Sequence, residues 1–433
     1  MTHNEIAEYA LDALKKAGAD KAACSVSRGR KDEFNVEANK FTLMRTLFND
    51  ALHLKVIKDG RKGVLAVNKL DKDSINEAAS GCVALTASAP PDEAEDIAEK
   101  RENKTFDQGA GGAGMDRLFA RTKDFLEQVK DEFPKIILEG VVSDFNSSQT
   151  AFANTNGVRF DTKTEFYGLS AMFAAKDGEK STSFNGSALR LSSLDSPFMD
   201  WGLQRAMFGE SEKSLDPRMI DGKFTGQVIV TPACADMIWD TLIACFLSDR
   251  PLIEGTSRWK DSLGTKVADS KLTMRAAPLH PGIVGGERVT ADGYESADTD
   301  FIRGGLLENF ALSLYGSRKT GKPRAGNTAF SSIEVAAGDT SLADMIKGVK
   351  RGILLNRFSG ARPGPSGDIS GVAKNSFLIE DGEVTCALKE TMVSFNIVDV
   401  LGRITAISSE RNTSGYNILP WCCFDGITIS GGG

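Results

Sequence analysis

Gly255, Gly264, Gly282, Gly285, Gly286, Gly293, Gly304, Gly305, Gly316, Gly321 and Gly326 cut the second half of the chain into short apolar runs. A helix interior loses about 1 kcal/mol for each glycine that replaces alanine, so glycine at this density works against long helices. Short apolar runs between tight turns predict a curved, bulged sheet or irregular barrel. One helix fits at 342–348, and strands resume at 352–358, 376–379, 383–388 and 426–430.

The first half has a different rhythm. Asn4 is read as the cap of a helix with Ile6, Tyr9, Ala10, Leu14 and Ala17 on its apolar face, ended by Gly18. Strands are expected at 22–27, 33–38, 51–57 and 63–67, the last two joined by the hairpin signal Asp59-Gly60, followed by a helix at 74–85. From 90 to 114 the composition shifts to an acidic short helix and a glycine-rich flexible joint. A helix at 115–133 presents Leu118, Phe125, Leu126, Val129 and Phe133 on one face. Beyond Pro134 an antiparallel meander is expected at 135–145, 149–155, 158–174 and 181–191, then a helix at 197–208. At 433 residues the chain is too long for one ordinary core. The expectation is a two-domain α+β protein: residues 1–220 a helix-covered mixed or antiparallel sheet, residues 221–433 a glycine-rich curved sheet or irregular barrel.

Charge and cysteine usage narrow the function. A net charge of −7 opposes nucleic-acid binding, whose affinity is dominated by attraction to phosphate. The cysteines, Cys24, Cys82, Cys234, Cys245, Cys386, Cys422 and Cys423, are odd in number, scattered and free of C-x-x-C pairs, as for reduced buried thiols. The start, MTHNEIAEYALDALKKAGAD, lacks the basic start and continuous apolar run of a signal peptide. No apolar stretch approaches the roughly 20 residues of a membrane span. A cytoplasmic location follows from this reading.

Two nucleotide-like strings fail on chemistry. Gly109-Ala-Gly111-Gly112-Ala-Gly114 matches G-x-G-x-x-G, but charged and polar residues precede it where a buried strand is needed. Gly316-Ser-Arg-Lys-Thr-Gly321-Lys322-Pro323 ends in proline where a P-loop needs a hydroxyl for Mg²⁺; it reads as a basic loop able to meet an acidic partner. His3, His53 and His280 are dispersed, read as a terminus, a strand residue and a loop residue. Cys422-Cys423 lies in an apolar terminal strand, where alternation sends one thiol inward and one outward. Tyr294, Glu295, Asp298 and Asp300 crowd one loop able to bind a cation or an amino terminus, and 359–371, with Arg362 and Asp368, forms a Gly/Pro-rich loop. Both are candidate peptide or partner loops.

The segment GQVIVTPACADMIWDTLIACFL, Gly226 to Leu247, runs from a β-type stretch through a proline into a helix. With Leu263-Gly264-Thr265, Gly293-Tyr294-Glu295, Phe301-Ile302-Arg303-Gly304-Gly305, Gly326-Asn327-Thr328, Gly367-Asp368-Ile369-Ser370-Gly371 and Gly426-Ile427-Thr428 following in order, the chain resembles the PmbA/TldD family, formerly labelled modulators of DNA gyrase. The resemblance implies a two-domain α+β subunit that pairs with a homologous subunit around an internal cleft. In the TldD-type subunit, H-E-x-x-x-H on this helix and a C-terminal cysteine hold zinc, and the glutamate activates water. Here the string reads Trp239-Asp240-Thr241-Leu242-Ile243-Ala244, and 406–415 holds no cysteine. Indole and methyl groups have no lone pair for a metal.

The resemblance therefore implies a PmbA (TldE)-type subunit of a heteromeric zinc metallopeptidase that matures or degrades unfolded peptides. It would carry no catalytic or metal residue and no cofactor, with zinc only in the TldD-type partner. Extended peptide would add to its strand edges, and a homodimer is the alternative assembly. The competing reading is a stand-alone peptide- or partner-binding regulator in gyrase or toxin–antitoxin biology, without peptidase activity. A hydrolase assembled from distant ligands such as His280, Asp298 or Cys386 is the third.

Overall fold

The computed structural model describes residues 1–328, 332–360 and 363–431. In its first part β1 (Lys21–Glu37), β2 (Lys40–Lys58), β3 (Arg61–Val67), β4 (Lys104–Gln108), β5 (Ile136–Asn154), β6 (Arg159–Asp177), β7 (Lys180–Ser181) and β8 (Asn185–Leu191) share one sheet, ordered β3-β2-β1-β5-β6-β4 with β7 and β8 also on β6. All pairings are antiparallel except β4 on β6, so the sheet is mixed. The helices α1 (His3–Lys16), α2 (Lys72–Leu85), α3 (Met115–Glu132) and α4 (Gln204–Lys213) cover it.

The cover is divided. Ile6, Leu11 and Leu14 of α1 and Ile75 and Cys82 of α2 pack on Val26, Leu52, Leu54 and Val56. Leu118, Phe125 and Val129 of α3 and Phe208 of α4 pack on Phe34 and Val36 farther along β1 and on Phe145, Leu169 and Phe173 of β5 and β6. Between the two clusters the strands turn polar, with Arg28, Arg30 and Lys31 of β1 in register with Gln149, Ser147 and Asn146 of β5. This corrects the sequence reading, which broke both strands there. Backbone ladder bonds and side-chain pairs such as Arg28–Asp50 (3.3 Å) and Lys31–Asp144 (3.1 Å) carry the strands through, although no apolar alternation marks them.

Other local expectations also shift. Thr2, rather than Asn4, caps α1 in a capping box with Glu5, while Asn4 bonds Asp161. His3 likewise pairs with Asp161, at 3.0 Å. No helix forms between Pro90 and Asn103, and β4 occupies part of the expected joint. The helix expected at 197–208 starts later, as α4, after a short turn at Phe198–Asp200.

The remaining strands form a second sheet: β9 (Lys223–Val230), β10 (Met274–Ala276), β11 (Thr299–Arg303), β12 (Leu306–Leu307), β13 (Ile333–Val335), β14 (Arg351–Leu355), β15 (Arg357–Gly360), β16 (Asp368–Lys374), β17 (Phe377–Glu380), β18 (Glu383–Ala387), β19 (Thr391–Asn396), β20 (Ile404–Thr413) and β21 (Ile418–Ser430). Its order is β12-β11-β10-β13-β21-β9-β14-β17-β18, with β15, β16, β19 and β20 off that path. Helices α5 (Pro232–Leu242), α6 (Asp249–Ile253), α7 (Leu314–Thr320), α8 (Leu342–Lys347) and α9 (Ile397–Leu401) are short. Register slips between β9 and β21, β20 and β21, β10 and β11, and β17 and β18 curve the sheet, as the glycine pattern predicts. The chain is thus α+β, a helix-covered sheet followed by a glycine-rich curved one.

Cys422 and Cys423 do point to opposite faces of β21, but both are 1% exposed because helices and strands cover each face. No helix among the described residues is long and apolar enough to cross a membrane.

Candidate functional site

The helix α5 starts where the β9 ladder ends. Thr231 is extended and Pro232 takes the first helical position, where its missing N–H costs nothing. Cys234, Ala235, Ile238, Trp239 and Leu242 are buried, whereas Asp236 and Asp240, one turn apart, are exposed. Beyond Leu242 the helix loosens into a π-helical turn, Ile243–Leu247, closed by Ser248 N–H donating to the Ile243 carbonyl at 2.9 Å.

The three positions at which the family resemblance puts metal-motif residues separate in space. Trp239 is 1% exposed within the large apolar cluster, its indole N–H without a hydrogen-bond partner. Asp240 lines a cleft, and Ala244 is exposed. An indole locked in a core and a methyl group offer no electron pair, so these residues do not fit a zinc ion. Among the described residues no group of three His, Cys, Asp or Glu side chains is disposed to hold a metal.

The cleft has a volume of about 510 Å³. One wall is β8 around Ser187 and Ala188, a second is Gly202 to Gln204 at the start of α4, a third is Asp236 and Asp240 of α5, and the fourth is the β20–β21 turn with Ser414, Tyr416 and Asn417. The Asn417 amide donates to Asp236 at 2.8 Å while its carbonyl oxygen accepts from Ile333 N–H at 2.8 Å, so the carboxylate is held from the sheet. Protein packed around Asp236 raises its carboxyl above the usual range, and the Asn417 bond opposes that rise. Gln204 is 1% exposed, and neither atom of its amide has a partner; the Ser187 hydroxyl is likewise unpartnered.

The turn and the first sheet are pinned together. Arg190 N–H donates to the Ser414 carbonyl at 2.8 Å, and the Arg190 guanidinium lies over the rings of Phe166 and Tyr416, 4.3 and 4.4 Å from their centres.

The loop residues singled out in the sequence are dispersed among separate partners. Tyr294 is buried and donates to Glu99 at 2.7 Å beneath the Arg324 guanidinium. Burial, with Glu99 adding to it, holds its phenol far above the ordinary range. Glu295 pairs with Lys104 at 2.7 Å, Asp298 accepts from Leu279 N–H at 3.1 Å, and Asp300 pairs with Arg303. Asp368 accepts from Asn396 at 2.9 Å, and the Asn396 bond holds its carboxyl below the usual range. Arg362 lies outside the described residues. The basic stretch at 316–322 is mostly helix α7, with Arg318 paired to Asp96 and Lys319 to Asp92.

Sequence reasoning missed Gln204, Ser187, Asp236 and Asn417. Only Asp236 left a signal, its i,i+4 spacing from Asp240.

Residues 223–431 match the family model described as the PmbA/TldA metallopeptidase C-terminal domain. A metalloprotease of Methanocaldococcus jannaschii is 25% identical over 229 residues, which is 49% of this chain and 49% of that protein. The chain thus spans about half the length of that curated relative in the match. The crystal structure of TldE from Thermococcus kodakarensis superposes with a TM-score of 0.83 at 19% identity, covering 98% of this chain and 100% of its own. A putative modulator of DNA gyrase from Bacteroides thetaiotaomicron superposes with a TM-score of 0.83 at 21% identity, covering 99% and 98%. At these identities the structural likeness is one of fold.

Proposed function

On the premise that the chain belongs to the PmbA/TldD family through its C-terminal half, we propose that it is a non-catalytic, PmbA/TldE-type subunit of a two-subunit zinc metallopeptidase acting on unfolded peptides. The observation that carries this reading is Trp239, sealed in the core where a TldD-type chain would present a histidine. Converting that position to a ligand would empty part of the core, and Ala244 would still offer only a methyl group.

In this reading zinc and the water-activating carboxylate belong to the TldD-type partner, and this chain contributes the wall of a shared cleft. The edge of β8 away from β6, which among the described residues pairs with no strand along 186–189, supports a role in holding extended peptide. That strand pairs with β6 on one side, and residues 186–189 line the cleft. The chain is proposed to work in the cytoplasm, without contact to nucleic acid.

The test is to purify the chain alone and together with an H-E-x-x-x-H homologue from the same cell, then measure bound zinc and cleavage of an unfolded peptide. The expected result is zinc and cleavage only when the homologue is present. Stoichiometric zinc and cleavage in the isolated chain would overturn the assignment. A source genome encoding no such homologue would favour the stand-alone regulator.

A further inference from the structure

Gln204 carries an inference that does not depend on the subunit assignment, since it needs neither a partner nor a metal. A buried primary amide is both donor and acceptor, and leaving both functions unmet is costly, so nearly all such groups in folded proteins are paired. Gln204 lines the cleft, is 1% exposed and has neither amide atom engaged. The Ser187 hydroxyl on the adjoining wall is in the same condition.

The charge around Gln204 is ordered. It is the first residue of the ten-residue helix α4, whose N-cap, Leu203, supplies no side-chain acceptor. Both residues line the cleft, so the positive end of the helix lies at its wall and favours a carboxylate. On another wall of the cleft stands Asp236, fixed by Asn417 at 2.8 Å. Carboxylates favour an ammonium group. One cleft of about 510 Å³ therefore has an anion-seeking pole and a cation-seeking pole, at a size within the ordinary range for small-molecule sites.

We propose that this cleft binds a small zwitterion, a free amino acid or dipeptide, with its carboxylate at the start of α4 and Gln204 and its ammonium at Asp236. Reversing the ligand would set carboxylate against carboxylate and ammonium against the helix N-terminus, so the orientation is unique. A ligand lacking either charge would leave one pole unanswered.

The test uses the full chain and L-alanyl-L-alanine, with titration calorimetry as the readout and the N-acetylated and C-amidated dipeptides as comparisons. Saturable 1:1 binding is expected, weakened at least tenfold by blocking either end. Asp236→Asn should weaken the free dipeptide at least tenfold while leaving the weak binding of the N-acetyl form unchanged. Gln204→Leu should weaken the free dipeptide at least tenfold. Should Gln204→Leu fail to fold, as judged by its melting curve, Asp236→Asn on the exposed face of α5 decides the matter. Absence of saturable binding overturns the proposal. So does binding indifferent to both blocked ends and to Asp236→Asn, which would instead indicate backbone pairing of an extended chain along β8.

Discussion

The Asn356 amide donates to the Glu210 carboxylate at 2.7 Å, joining α4 to the link between β14 and β15. This hydrogen bond ties a helix that covers the first sheet to the second sheet. Burial pushes the Glu210 carboxyl up from 4.5 to about 7, against the opposing pull of Lys213 and of the Asn356 bond.

Glu210 should make stability fall as pH rises. Its folded-state value lies above the unfolded one, so the folded chain holds the extra proton between pH 4.5 and about 7 and loses that advantage across the window. Glu210→Gln keeps an acceptor for Asn356 without the charge. Thermal melts should show the two proteins alike near pH 4, with the variant ahead by about 1–3 kcal/mol above pH 7.5. Parallel pH profiles would mean that the carboxylate is solvated.

Gly415 has φ +85°, and a Cβ there would sit 1.9 Å from the Arg190 backbone oxygen. The same turn gives the Arg190–Ser414 and Val284–Gly415 backbone bonds, at 2.8 and 2.9 Å. Gly415→Ala should cost about 2–4 kcal/mol in urea denaturation and loosen the cleft wall, seen as faster amide exchange at Arg190. Unchanged exchange there would contradict this account of the junction.

Trp239→Ala should cost about 3–5 kcal/mol, the usual result of removing a large buried ring. Trp239→Phe refills most of that space and removes an unpartnered indole N–H, so its cost should stay below about 1.5 kcal/mol. Chemical denaturation of both variants checks the order. Equal, small losses would show that the indole is not packed as described.

Glu334 is 8% exposed and receives Arg275 at 2.5 Å and Arg411 at 2.6 Å. Burial opposes ionisation, but the bonds from the two arginines outweigh it and hold the carboxyl below the ordinary range. Stability from this group is therefore complete above pH 4.5 and is lost as pH falls through the depressed folded value. Because both arginines remain about a third exposed, Glu334→Gln should cost about 1–3 kcal/mol at pH 7. The gap should close in acid, as followed by circular dichroism; a gap that persists would assign the loss to packing.

Much of the architecture could be read from residue order. Asp59 and Gly60 both adopt positive φ, and Lys58 pairs with Arg61 across the expected two-residue hairpin. The helix after Pro232 begins at the proline itself. The strand middles escaped because Arg28 to Lys31 and Asn146 to Gln149 lie between two helix-covered patches, where neither face needs apolar residues. Alternation reports burial, and burial there is absent.

Local order along the chain settled the class of the protein, the helix after β9 and the lack of electron-pair donors at Trp239 and Ala244, because side-chain chemistry and short-range pattern travel with the sequence. It could not bring Gln204 and Asp236 to one cleft, or pair Glu210 with Asn356. Those partners are separated by 32 and 146 positions and meet only when α4, α5 and the second sheet pack. The poles of the cleft are set by where backbone dipoles and carboxylates come to rest, and packing alone decides that.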